Sequence, residues 1–261
     1  MPVLGVAGCS YMAATQDLDR DDCLANSHFT ELLAQEMGWD YYTLARGGAS
    51  NFCISYQVQQ LIDEKVDLAL IGFTSIDRDD IPLNLNALNF NIFDFNYYNS
   101  PDLSALDTRF SKKPLILSTS ISTILQASMD SESSDLEDYF KYTVNNGNTS
   151  VVNSYTSYFK DLYSHSVKYH KDLATIVSII LRLEESKIPY LFYSTFCLNE
   201  WLESRKGFIP STDKAVPWNY DIPETGALRY HTTAETQEEI KKYWYPYIAK
   251  FFPENFPTTC C

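Results

Sequence analysis

Val3-Leu4-Gly5-Val6-Ala7, followed at once by Gly8-Cys9-Ser10-Tyr11, is the stretch on which the reading of this chain turns. A short apolar run that ends in small residues is the pattern of a strand buried on both faces and leaving the sheet through a tight turn. Three further runs of the same kind lie downstream, at Asp40 to Leu44, Leu68 to Phe73 and Tyr190 to Ser194. Between the first two, His28 to Met37 carries Phe29, Leu32, Leu33 and Met37 at helical spacing and stops at Gly38. Between the second and third, Phe52 to Lys65 repeats the stripe with Ile54, Val58, Leu61 and Ile62. Two βαβ units in succession, joined by right-handed crossovers, predict an α/β protein with a central parallel sheet.

From Ile81 to about Asn148 the periodicity weakens, Asn, Ser and Asp become frequent, and Ser131 to Asp138 is acidic and serine-rich. The stretch 81–148 reads as a long insertion or lid within one domain spanning residues 1–261. It holds an aromatic run from Phe90 to Tyr98, open to two readings: a packed tyrosine-rich insertion, or a platform that stacks on sugars or a partner protein. Helical spacing resumes over Val151 to Lys187 and predicts one long helix ending before Pro189. Asn199 to Arg229, with Pro210, Pro217 and Pro223, reads as loop, and a final helix is expected over Thr233 to Phe251.

With 261 residues and 45% hydrophobic content, the chain can bury a single sizeable core. Its 34 acidic against 20 basic side chains give a formal charge of −14, which repels phosphate backbones and anionic headgroups, so neither nucleic acid nor membrane is expected as a partner. No apolar stretch approaches the roughly 20 residues a bilayer span requires, and no basic segment with an apolar run opens the chain. The expectation is a soluble protein, cytoplasmic (in a host cell if phage-encoded) or virion-associated. The six cysteines form no zinc spacing and suit a reducing compartment; Cys260 and Cys261 read as a frayed tail or, without a polybasic neighbour, less readily as a lipidation site.

In open parallel sheets ligands bind beyond the carboxyl ends of the strands. The residues there are Gly8-Cys9-Ser10-Tyr11, Arg46-Gly47-Gly48-Ala49-Ser50-Asn51 and Gly72-Phe73-Thr74-Ser75-Ile76-Asp77-Arg78, joined near the C-terminus by Arg229-Tyr230-His231-Thr232. A Ser after strand one, a Gly after strand two, a polar residue after strand three and a His before the last helix resemble the ordered blocks of the SGNH (GDSL-like) hydrolase family across nearly the whole chain. "GCSYM", "GGASN" and "GFTSIDR" further resemble the SGNH-like proteins of tailed phages. The resemblance implies a three-layer α/β/α, flavodoxin-like fold and acyl transfer. Ser10 would attack an ester carbonyl, His231 would take its proton, and the N–H groups of Ser10 and Gly48 would receive the developing negative charge.

Two positions depart from the family pattern. Thr74 stands where the family has an oxyanion-hole Asn, and its hydroxyl offers one shorter donor. Leu228 stands three before His231, where the family has the Asp that orients the base, leaving Asp221, Glu224 or a backbone carbonyl to substitute. Losing one oxyanion donor costs about 10²- to 10³-fold in rate. The two readings are therefore an esterase acting on a small-molecule or glycan ester, such as a deacetylase, and an SGNH scaffold whose catalysis has lapsed, kept for carbohydrate binding or phage structure.

Other candidates read more plainly. His165 and His170 lie about 140° apart around a helix, off the face a metal pair needs, so no metal is expected. His28 reads as a helix cap or surface residue, Cys9 as a small buried side chain, and Asp77 to Asp80 as a solvated turn or a cleft lining. Gly5 to Gly8 does not fit the dinucleotide-binding pattern, so no cofactor is expected.

Overall fold

A computed structural model describes residues 1–9, 11–12, 28–45, 49–74, 78–82, 116–120, 157–158, 161–194, 198–210 and 234–252. The chain divides into two compact units, residues 1–75 with 172–261, and residues 76–171.

The first unit is an α/β protein built on β1 (Val3–Gly8), α1 (Phe29–Met37), β2 (Asp40–Thr43), α2 (Asn51–Asp63) and β3 (Leu68–Phe73). These are the two βαβ units expected from the sequence. All strand pairs in its sheet are parallel, and with β6 (Tyr190–Ser194) the order is β2-β1-β3-β6. The first strand sits inside, flanked by the second and third, which is the flavodoxin-like arrangement with its switch point between β1 and β3.

Alternation along the strands builds the three layers. Leu4, Val6, Leu68, Leu70, Leu191 and Tyr193 face one side, packed with Phe29 and Leu33 of α1 and with Ile240, Trp244 and Ile248 of α5 (Ala234–Ala249). Ala7, Ala69, Ile71, Phe73, Tyr190 and Phe192 face the other, against Ile54, Val58 and Leu61 of α2 and Ile176, Ile179, Ile180 and Leu183 of α3 (His165–Ser186). Helices on both faces explain why the strands read as continuous apolar runs rather than alternating ones. Arg182 of α3 ties the second pair of helices together, donating to Gln59 Oε1 at 2.9 Å and Ser55 Oγ at 2.9 Å.

Local chemistry sets the boundaries. Gly38 ends α1 in the left-handed region at φ 66°, donating back to the last helical carbonyls, a conformation that residues with a Cβ adopt at a cost. The single helix expected over Val151 to Lys187 is broken: residues 157–158 and 161 are helical, 162–164 are not, and α3 starts afresh at His165, where Ser164 Oγ accepts from Val167 N–H at 3.4 Å and caps it, while Leu162 points to solvent. Within the expected loop 199–229, Asn199 Oδ1 accepts from Leu202 N–H at 2.9 Å and starts a one-turn helix, α4 (Glu200–Glu203), that buries Leu202. The rest of that loop beyond Pro210 lies outside the described residues, as does the aromatic run.

In the second unit, β4 (Arg78–Pro82) pairs antiparallel with β5 (Ile116–Ser120), Arg78 opposite Ser120 and Asp80 opposite Ser118. Arg78 to Asp80 is thus a strand, where the sequence left a solvated turn and a cleft lining both open, because pairing satisfies backbone groups that a turn would leave to water.

Candidate functional site

β1 reaches its end in register with β3, Gly8 opposite Gly72. Neither carries a side chain, and that gap is filled by Met12, whose side chain lies where a Cβ on either glycine would be. Met12 is fully buried and its N–H donates to Cys9 O at 3.0 Å, so the chain leaving the sheet turns back onto it at once. Cys9 is buried with it, as the small side chain at a strand end that the sequence reading expects. Ser10 lies between these two in sequence and outside the described residues, together with Gly48, Asp221, Glu224, Leu228 and His231.

Around this strand end the described residues form a buried polar frame. The side chain of Asn51, the first residue of α2, clasps the peptide just past β3: Thr74 N–H donates to Asn51 Oδ1 at 2.9 Å and Asn51 Nδ2 donates to Thr74 O at 3.0 Å. The same Nδ2 donates to Asp172 Oδ2 on α3 at 3.1 Å. Two turns along α2, Gln57 Oε1 accepts from Gly8 N–H at 2.7 Å. Asn51, Gln57, Thr74 and Asp172 are all buried. Thr74, the residue at the family's Asn position, is 2% exposed, and both its peptide N–H and C=O are held by Asn51.

On the opposite face His28 performs a parallel task. It caps α1, as expected, its Nδ1 accepting from Thr30 N–H at 3.4 Å, but it is buried rather than superficial. Nδ1 also meets Thr30 Oγ1 at 2.7 Å, and Nε2 lies 3.1 Å from Tyr11 O. A carbonyl can only accept, so these partners assign the proton to Nε2 and the lone pair to Nδ1. Thr30 Oγ1 in turn meets Tyr41 Oη of β2 at 2.9 Å. Gln237 of α5 completes this side by accepting from Phe29 N–H at 2.9 Å.

Burial pushes the Tyr41 hydroxyl up to about 12, with Glu31 adding to the shift while hydrogen bonds to Thr30 and Thr43 oppose it. Above the ordinary tyrosine range the unfolded chain gives up this proton and the folded chain keeps it. Stability is therefore full below about pH 10 and falls as pH rises toward 12, by at most about 2 to 3 kcal/mol from this group. Tyr190, also raised by burial, adds to the same fall. Urea unfolding of Tyr41→Phe from pH 9 to 12 is expected to show a shallower alkaline decline than wild type. An unchanged slope would sink the assignment.

Three of the framing residues were not singled out from the sequence, although each left a trace. Gln57 shares the stripe of Ile54, Val58 and Leu61, and Asp172 that of Ile176, Ile179 and Ile180. A polar residue on a buried stripe implies a buried partner. Asn51 closes the Gly47 to Asn51 turn and was legible only as part of it.

His165 and His170 are exposed on α3. No group of three His, Cys, Asp or Glu among the described residues is arranged to hold a metal ion, and no helix among them is long and apolar enough to cross a membrane.

No family model matches this chain, and no curated protein does. Among solved structures it is similar to the crystal structure of an extracellular lipase from Streptomyces rimosus, at 12% identity over 96% of this chain and 99% of that one, with a TM-score of 0.33. Likeness at that score carries no argument about fold or function.

Proposed function

We propose that this protein is a serine ester hydrolase of the SGNH type, with Ser10 as nucleophile and His231 as general base. The observation that carries the reading is positional: Ser10 follows the strand next to the switch point of a flavodoxin-like parallel sheet, where such sheets bind their ligands. The reaction is acyl transfer. Ser10 Oγ attacks the ester carbonyl as His231 removes its proton, the alcohol departs with a proton from His231, and water then releases the acid from the acyl-enzyme by the same route.

The N–H groups of Ser10 and Gly48 are the proposed oxyanion donors, with the Thr74 hydroxyl as the third. The Thr74 peptide N–H does not join them, since Asn51 already accepts from it. Asp221 or Glu224 would orient His231 in place of the acid missing at Leu228. The substrate is a small-molecule or glycan ester, an acetylated sugar being the example that the aromatic run at 90–98 favours. We place the protein in the cytoplasm, of a host cell if phage-encoded, or on a virion; its charge of −14 disfavours nucleic acid and anionic membranes as partners.

Leu228 and the burial of Thr74 favour the other reading, a lapsed scaffold that binds glycan without cleaving it. Labelling with a fluorophosphonate separates the two, because the probe reacts only with an activated serine. The expected result is one equivalent of label per chain, lost in Ser10→Ala, with hydrolysis of short-chain esters lost in parallel. An unlabelled wild-type chain across pH 6 to 9 leaves the scaffold reading in its place.

A further inference from the structure

We propose that His28 and Gln57 are positioning residues for Ser10, gripping the backbone on either side of it from opposite faces of the sheet. The inference rests on the ester-hydrolase reading and adds to it the means by which the nucleophile is held.

Gln57 comes from α2 and accepts from Gly8 N–H at 2.7 Å, two residues before Ser10. His28 comes from the start of α1 and its Nε2–H donates to Tyr11 O at 3.1 Å, one residue after it. Both side chains are at least nine-tenths buried; the Gln57 bond is buried throughout, and the His28 bond is part-buried because Tyr11 is only half-buried. Between these two points the chain is closed by the Met12 N–H to Cys9 O bond, and Cys9 and Met12 are both fully buried. The chain is thereby fixed to the body of the protein at Gly8 N–H and at Tyr11 O, two residues before Ser10 and one after it.

The two tethers also divide the labour of the helices that carry them. Neither is required for its own helix. Gln57 spends its carbonyl on a strand rather than on α2, and the cap of α1 needs only the Nδ1 side of His28. Nε2 is surplus to capping, and an Asn, which is among the best N-caps, could replace the ring at that task. What Asn cannot do is reach Tyr11 O at the same time. Nucleophilic attack demands placement to within a fraction of an ångström, and a displacement of about 1 Å costs about 100-fold.

The test uses the full chain, with second-order labelling by a fluorophosphonate and kcat and KM on p-nitrophenyl acetate as readouts. His28→Asn keeps the cap and loses the tether; Gln57→Met keeps length and loses the acceptor; Gln57→Glu keeps an acceptor oxygen toward Gly8 N–H whether or not it is ionised. His28→Asn and Gln57→Met are each expected to label about 10- to 100-fold more slowly, with kcat reduced and KM nearly unchanged. Gln57→Glu is expected to recover most of the rate. The double variant should fall less than the product of the singles, because both act on one short segment.

Wild-type rates in folded His28→Asn and Gln57→Met overturn the assignment and leave the hydrolase reading intact. An unlabelled wild-type chain overturns both. If one variant does not fold by circular dichroism, the other decides. If both only unfold, the side chains serve stability and the assignment fails.

Discussion

Asn51→Ala is expected to lower the unfolding free energy by about 3 to 5 kcal/mol, a large share of the about 5 to 15 kcal/mol that holds a domain folded. One amide side chain serves three buried groups at once: the N–H and C=O of Thr74 and a carboxylate oxygen of Asp172. Alanine takes the side-chain partner from both Thr74 peptide groups and one donor from Asp172, and the Thr74 peptide stays out of water, so most of the cost is the desolvation of what remains rather than the modest net worth of the bonds removed. Urea unfolding followed by circular dichroism reads the change. A loss below about 1 kcal/mol would mean that solvent reaches Thr74, contrary to its burial.

Asn51→Asp sharpens the test because it keeps the shape and changes only charge and donors. It sets a carboxyl within about 3 Å of Asp172 Oδ2 where an amide donated, so its proton is held to a higher pH in the folded chain than in the unfolded one. The sign follows: the substitution is least damaging below pH about 4, and its cost grows as pH rises through neutrality. A midpoint that rises with pH, as for an ordinary paired carboxylate, would overturn the placement of that amide beside Asp172.

Trp244→Ala is the second large effect, about 3 to 5 kcal/mol. The indole is fully buried on the α1/α5 face, its ring centroid 5.2 Å from Phe29 and 5.8 Å, edge-on, from Tyr193. Removing it empties the contact between α5, α1 and β6 together, and no neighbour can move in without giving up its own packing. α5 begins three residues after His231 in sequence, so the weakening falls on the helix that follows the proposed base along the chain. Thermal unfolding should drop by roughly 10 °C. Trp244→Phe, which keeps a ring, should lose well under half as much.

The parts of the fold that were legible in the sequence are those where burial dictates residue type. β3 and β6 were read to the residue, and α1 and α2 to within two at each end, because a strand covered on both faces must be apolar throughout and a helix on a sheet must show its stripe. β2 was read as ending at Leu44 rather than Thr43, yet Leu44 N–H still donates to Val6 O at 2.8 Å, so the pairing outlasts the strand. Over Val151 to Lys187 the expected single helix is interrupted at 162–164, because periodicity does not register a stop: Leu162 keeps the spacing through the break, while a single serine hydroxyl at 164 begins α3 afresh. β4 and β5 escaped notice since Arg78-Asp79-Asp80 has a turn's composition and gains its structure from a partner about 40 residues away.

Of the site, what the sequence offered was the order of Ser10, Gly48, Thr74 and His231; what it withheld was the frame. Gln57 and Asp172 show only as polar residues on apolar stripes and His28 only as a cap or surface residue; their partners, Gly8 N–H, Asn51 Nδ2 and Tyr11 O, emerge when the layers are assembled. Pairing of that sort depends on contacts between residues up to 208 positions apart, and no local pattern names the partner.

The outer margin of β6 is not left open. Phe192 N–H donates to Gly207 O at 2.7 Å and Phe192 O accepts from Ile209 N–H at 2.8 Å, a parallel bridge made by the stretch that follows α4. A sheet whose last strand is already occupied in this way cannot serve as a template for a foreign strand at its centre, and β2, at the other margin, has four residues and opens on an exposed aspartate. Among the described residues, strand addition is thereby opposed at the centre of β6 by the bonds to Gly207 and Ile209 and at β2 by shortness and charge, and a deletion that removed residues 207–209 would be expected to invite it.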